Sequence, residues 1–264
     1  MAADFQTLEV RQEREHVETV VLCRPEAANA LNTRMGEELV AYFEALAMTP
    51  SRLRCVILTG AGEKAFCAGG DLKERNGMSV AAWAAQHLVF ERMARALVNC
   101  PVPIVAAVNG AAYGGGLEIA AACDFIYASE RATFALTEVK LGIIPGAGGT
   151  QSIARAVGER RAKELILTGR SFSAADALEW GLVNAICPAD ALVGKTLDTA
   201  AQISLNAPLA VRRAKQAISR SSGMSLSDGM AFEIEAYNRL VPTEDRLEGV
   251  RAFNEKRAPL FGGC

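Results

Sequence analysis

Apolar and polar positions follow two alternating rhythms through the first two-thirds of the chain. Short β-branched runs, "VETVVLC" (17–23), "RCVILTG" (54–60), "PIVAAVNG" (103–110), "DFIYAS" (124–129) and "LVNAIC" (182–187), read as strands bounded by turn formers. Between them, apolar residues recur at helical spacing over about 33–48, 80–99, 115–122, 147–156 and 159–168. Strand, helix, strand repeated in this way predicts an α/β core with mostly parallel pairing. From about residue 190 the strand signals stop, and helical patterns follow near 189–204, 207–221, 225–240 and 243–256. Pro208 and Pro242 fall where helices begin, where a missing N–H costs nothing. Such a tail is either a cap on the core or an assembly element. No repeat of fixed period and no low-complexity segment interrupts the pattern.

Composition narrows the class. The chain has 264 residues and is 50% hydrophobic, enough for one large domain or a domain and a half. Lys and Arg number 28 against 30 Asp and Glu, a net charge of -2 that argues against nucleic acid as the main partner. The cluster Arg212, Arg213 and Lys215 reads as the solvated face of a helix. The 7 cysteines form no C-x-x-C pair and mostly lie in apolar runs, as expected of free core thiols in a reducing compartment. The segment "MAADFQTLEVRQERE" is charged and lacks an apolar h-region, and no apolar run reaches membrane-span length. A soluble, cytoplasmic protein is expected, with no membrane partner.

Several chemistries fail on spacing. His16 lies in a charged hairpin region and His87 on an amphipathic helix, and neither has the Ser, Cys or carboxylate context of a triad. No G-x-S-x-G and no H-E-x-x-H occurs. In "VILTGAGEKAFCAGG" (56–70) a dinucleotide fingerprint needs glycine where Ala65 stands, and the short-chain dehydrogenase variant needs it where Lys64 stands. "GAAYGGG" and "PGAGGTQ" lack the G-K-[ST] ending of a P-loop. No metal site is indicated.

What remains is a pair of glycine-rich turns and a pair of glutamates. "FCAGGD" and "YGGG" each follow an apolar strand, and glycine lets a backbone N–H face a cavity without a Cβ in the way. Two such N–H groups opening on one crevice have the form of an oxyanion hole. In "GGGLEIAAACD" (114–124), Glu118 sits in a nearly all-apolar helical run, so burial is expected, with its carboxylate in the field of the helix that the glycines open. Glu138, in "FALTEVKLGIIPGAGGTQ", lies in a short turn bordered by apolar residues. Two carboxylates near one pocket push their pKa values apart, which suits proton transfer beside a carbonyl. The same spacing also fits Glu118 as a cap on its own helix, Glu138 as a surface glutamate, and Gly70 and Gly115 as plain turn residues.

At these residues the sequence resembles the crotonase, or enoyl-CoA hydratase/isomerase, superfamily over nearly the whole chain. "AFCAGGDLKER" resembles the first oxyanion loop of the family, "VAAVNGAAYGGGLEIAAACDFIYAS" its second, and "FALTEVKLGIIPGAGGTQ" the segment of its second acid. The resemblance implies a spiral of repeated ββα units holding the active site over residues 1–200. Residues 201–264 would form a C-terminal helical region that drives homotrimers, commonly paired into homohexamers. Carried over position by position, Gly70 and Gly115 would hold the thioester oxygen of an acyl-CoA substrate, and Glu118 and Glu138 match the two catalytic glutamates of the hydratases. Water would add syn across a 2-enoyl-CoA double bond to give a 3-hydroxyacyl-CoA, with no metal or redox cofactor.

The resemblance also places CoA near Arg24, Ala68, Asp71, Leu72 and Lys73, with Phe253 and Lys256 reaching the CoA of a neighbouring subunit. Met78, Trp83, Phe90, Pro145 and Gly146 are the candidate acyl wall, although Met78, Trp83 and Phe90 better suit core packing. "GGDLKER", "LVPTEDRLEGVRAFNEKRAPLF" and "RRAKELILTGR" resemble the methylglutaconyl-CoA hydratase branch, an alternative to fatty enoyl-CoA hydration. Enoyl-CoA isomerisation and non-catalytic CoA binding are the other readings. Ser152 stands where many relatives carry Arg.

Overall fold

The computed structural model describes residues 5–50 and 53–264. Strands β1 (Leu8–Arg14) and β2 (Val17–Leu22) form an antiparallel hairpin, with His16 in its turn. Helix α1 (Thr33–Met48) follows, its first turn capped by the Asn32 side chain, which accepts the Met35 N–H at 2.9 Å. Three ββα units then succeed one another. The first is β3 (Cys55–Gly60) and β4 (Ala65–Cys67) with α2 (Leu72–Arg75) and α3 (Val80–Val98); the second is β5 (Ile104–Val108), β6 (Ala111–Tyr113) and α4 (Gly115–Ala122). The third is β7 (Phe125–Ser129), β8 (Thr133–Ala135), a 3-10 turn at Glu138–Leu141 and α5 (Gly149–Val157).

Each first strand enters one sheet and each second strand another. With β10 (Ala185–Cys187), the larger sheet runs β1-β2-β3-β5-β7-β10, parallel beyond the hairpin. With β9 (Phe172–Ser173), the smaller runs β4-β6-β8-β9. Helix α6 (Glu159–Thr168) precedes β9, and α7 (Ala174–Glu179) follows it.

The continuous apolar runs of β3 and β5 reflect burial on both faces, as parallel strands require. Alternation divides them between two cores. Val56, Leu58, Ile104 and Ala106 face the main cluster, which includes α1, α3 and α4. Cys55, Ile57, Val105 and Ala107 face a smaller one closed by Leu192 and Ala200 of α8 (Leu192–Ser204). Helices α9 (Pro208–Ser221), α10 (Leu226–Asn238) and α11 (Glu244–Glu255) complete the chain.

The sequence pattern misses the smaller sheet. Its strands are two or three residues long, too short for an alternation signal, and β4 and β6 fall inside stretches that read as glycine turns. The division expected at residue 200 falls inside α8, which packs on the large sheet. All seven cysteines are free: five are buried, Cys23 is half-buried and Cys264 is exposed. Among the described residues no helix is long and apolar enough to cross a membrane.

The two sheets meet where α4 starts. A Cβ on Gly116 would stand 2.1 Å from the carbonyl oxygen of Cys67 at the end of β4, a backbone atom that cannot swing away. Only glycine permits this approach. Gly116→Ala is expected to cost at least about 1–3 kcal/mol of folding stability, as overpacking does. An unchanged urea midpoint would show that α4 can move off β4.

Candidate active site

The first two ββα units end their second strands at glycines that face each other. Gly70 follows β4, and its N–H bonds no other described residue. Gly115 is the first residue of α4, where an N–H has no carbonyl one turn back to bond. A Cβ on Gly115 would lie 3.8 Å from the Gly70 nitrogen, so the two N–H groups stand side by side at one opening. They line a cavity of about 1010 Å³ with Glu118, Glu138, Met78, Trp83, Phe90, Pro145 and Gly146.

Glu118 is buried, 4% exposed, as its apolar surroundings predict. Its support is not its own helix. The Glu118 N–H donates to Gly114 within α4, and its side chain leaves that helix for the 146–149 loop. There Oε1 accepts the N–H of Ala147 at 2.7 Å and of Gly149, which starts α5, at 2.8 Å. The N–H groups that hold the carboxylate therefore come from the 146–149 loop and the start of α5, whose helix field acts on it. A Cβ on Gly149 would touch Glu118 Oε1 and Cγ at 3.0 Å, so glycine is what lets the backbone reach the carboxylate. Burial holds the Glu118 carboxyl above the ordinary carboxylate range, and the N–H groups of Gly149 and Ala147 offset that only in part.

Glu138 opens the 3-10 turn after β8 and is 8% exposed. Its Oε2 is buried with no hydrogen-bond partner, while Oε1 lies 3.0 Å from where a Cβ of Gly114 would be. Burial pushes its carboxyl up to about 7; the charge of Glu118 adds to the rise and Arg75 opposes it. One carboxyl is therefore cradled by backbone donors and the other keeps its proton near neutrality. That division supplies a base and an acid in one pocket.

Ala68 and Leu72 also line the cavity, both exposed at its mouth. Lys73 is exposed beside them and is not part of the lining. Arg24 turns inward, donating to the Ala30 carbonyl at 2.6 Å and pairing with Asp71 at 2.9 Å. Asp71 in turn caps α2 by accepting the N–H groups of Lys73 and Glu74. These two residues brace the loop behind Gly70, and neither lines the cavity. Phe253, 84% exposed, and Lys256 lie at the end of α11, away from this chain's own cavity.

Two ionisable residues of the cavity are not assigned to it by the sequence reading. His87 packs its ring against Gly146, where a Cβ would stand 2.4 Å from Cε1. Its place on the Trp83, His87, Phe90 stripe, at spacings of four and three, is the signal that finds it. Arg75 also lines the cavity, stacked on Trp83 with its guanidinium carbon 4.3 Å from the ring centroid. Nothing in "DLKER" distinguishes it from a solvated charge.

Comparison with known proteins gives a consistent picture. The family described as Enoyl-CoA hydratase/isomerase matches residues 12–263. A short-chain-enoyl-CoA hydratase of Clostridium acetobutylicum is 42% identical over 241 residues, 91% of this chain and 92% of that protein. The enoyl-CoA isomerase/hydratase fer4 of Mycosarcoma maydis is 39% identical over 251 residues, 92% of each. A crystal structure of an enoyl-CoA hydratase from Bacillus anthracis superposes with a TM-score of 0.96 at 45% identity, covering 98% of this chain and 100% of that one.

The Glu138 pKa has a stability consequence whose sign is fixed. A carboxyl raised from 4.5 to about 7 in the folded state contributes stability fully present below 4.5 and lost as pH rises through about 7. Neutral glutamine escapes that loss. With screening from the cavity mouth, Glu138→Gln should gain about 1–2 kcal/mol relative to wild type between pH 4.5 and pH 8.5. Parallel urea melts check this, and a pH-independent difference would mean that Glu138 is not held protonated.

Proposed function

The chain belongs to the enoyl-CoA hydratase/isomerase family, and on that premise we propose that it is a hydratase, adding water across a 2-enoyl-CoA double bond. The observation that carries this reading is the unequal treatment of two buried carboxyls beside two free glycine N–H groups. In this mechanism the thioester oxygen accepts the N–H groups of Gly70 and Gly115, which hold the negative charge that develops there. Glu118, whose carboxylate form the backbone donors stabilise, takes a proton from water as the water oxygen bonds to Cβ. Glu138 gives its proton to Cα as the π bond breaks. Both groups act from one face of the substrate, so the addition is syn, and the product is a 3-hydroxyacyl-CoA.

Isomerisation of the double bond needs only one acid–base group, for which Glu138 alone suffices. The backbone cradle built for Glu118 supports the hydratase reading over it, because a dispensable carboxylate has no need of two N–H donors inside a cavity. CoA enters past Ala68, Leu72 and Lys73, at the loop braced by Arg24 and Asp71.

Loss of enoyl-thioester absorbance with crotonyl-CoA and with 3-methylglutaconyl-CoA tests the assignment. Glu118→Gln and Glu138→Gln should each lower kcat by about 10²- to 10⁴-fold, the usual worth of a positioned acid or base. Retained hydration in Glu118→Gln would remove Glu118 from the mechanism, a wild type that hydrates neither thioester would transfer the reading to an isomerase, and the better of the two substrates would name the branch.

The C-terminal helices bear on assembly. Leu226, Met230, Ile234 and Tyr237 of α10, spaced by four, four and three, are 82%, 56%, 57% and 67% exposed. An apolar stripe of this kind fits burial against other copies of the chain, as a homotrimer or a pair of trimers, with Phe253 and Lys256 brought to a neighbour's CoA. Light scattering should give a mass of three or six chains, and Ile234→Glu should lower it. A monomeric wild type would leave α10 without this role.

A further inference from the structure

Four ionisable side chains line the cavity: Arg75, His87, Glu118 and Glu138. The proposed hydration uses the glutamates, and His87 lies 3.6 Å from Glu91 on its own helix. Arg75 has no task, yet it is held in place with unusual care. Its Nε donates to Gln86 Oε1 at 2.7 Å. Gln86, 3% exposed, is fixed in turn by donating to Thr33 Oγ1 at 2.9 Å and Glu74 Oε2 at 2.8 Å. The guanidinium lies on Trp83 and faces Phe90, 5.4 Å from that ring centroid.

The inner edge and one face of the guanidinium are thus occupied, while its two terminal nitrogens have no acceptor among the described residues. One of them lies 3.1 Å from where a Cβ of Gly70 would stand, next to the expected thioester position. Burial disfavours the charge of Arg75, with Glu74 and Glu138 opposing that effect. Neither glutamate forms an ion pair with it, and the Glu138 oxygen that could do so is left bare. A half-buried guanidinium whose free fork faces an apolar cavity is an incomplete pair, and a carboxylate is the anion that fits such a fork with two parallel bonds.

We propose that Arg75 receives a second carboxylate on the acyl group, so that the substrate class is the enoyl-CoA thioester of a dicarboxylic acid. This rests on the acyl-CoA reading above and fixes the acyl end that it leaves open. Phosphate groups of CoA are a poorer match, because Arg75 lies among Trp83, Phe90 and Met78, the wall around the acyl chain, rather than at the mouth with Lys73.

The test uses saturated thioesters, which cannot be hydrated, so that recognition is read apart from chemistry. Butyryl-CoA and the monothioester glutaryl-CoA are titrated into the full-length protein by calorimetry, alongside turnover of crotonyl-CoA and glutaconyl-CoA. Glutaryl-CoA should bind about 10- to 100-fold more tightly than butyryl-CoA, the worth of a charge-assisted pair. Arg75→Met should collapse that ratio and the corresponding kcat/KM ratio towards one, while Arg75→Lys keeps part of both. Equal binding of the two saturated thioesters by wild type would overturn the proposal, and so would a variant that weakens both equally. A preserved glutaryl-CoA preference with no hydration of either enoyl thioester would sustain Arg75 as the receptor and sink the hydratase reading instead.

Discussion

A carboxylate cannot be taken out of water without a partner or a proton, and this cavity buries two of them. Glu118 meets the constraint with backbone N–H groups from Ala147 and Gly149, and Glu138 meets it by keeping its proton. The rest of the site follows from this difference. Because the donors are backbone atoms, they add no charge that would titrate or swing away. Because Glu138 has no donor at all on Oε2, burial dominates its acidity, with its own backbone N–H and Arg75 opposing the rise and the Glu118 charge adding to it.

The fold delivers this arrangement by repetition. Each ββα unit passes from the large sheet to the small one and then turns into a helix or 3-10 turn, so three successive units bring their turns to one opening. The first supplies Gly70, the second Gly115 and Glu118, and the third Glu138 together with the loop that holds Glu118. Asn109 ties the first crossing to the second, its Nδ2 donating to Gly60 and Gly62 while its Oδ1 accepts the Gly60 N–H. Close contacts that only glycine permits, at Gly116 on β4 and Gly149 on Glu118, fix the spacing between units.

Much of this was legible in the residues. The long strands and helices carry clear periodicities, and the central strands announce double-sided burial through unbroken apolar runs. The burial of Glu118 was legible because its helix has no polar face to put it on. What holds it was not, since Ala147 and Gly149 lie about thirty residues away and act through backbone atoms that leave no side-chain signature. The small sheet was hidden because its strands, two or three residues long, are too short to show an alternation. Arg75 was hidden for another reason: it sits in a charged run, and only the turn at Asn76 and Gly77 folds α3 back so that Trp83 covers it.

The division of labour between the glutamates also constrains the reverse reaction. In the proposed hydration the reaction begins with Glu118 ionised and Glu138 protonated and ends with the proton on the other partner. Dehydration begins where hydration ends, so both directions require one proton on the pair, differently placed. The overall reaction takes up no proton, so its equilibrium constant does not change with pH, and the two directions must share one pH dependence in kcat/KM. That dependence belongs to the coupled pair rather than to either residue. The backbone cradle and the bare Oε2 therefore do more than assign an acid and a base. In the proposed mechanism they also favour unequal protonation of the pair, the state from which either direction would start.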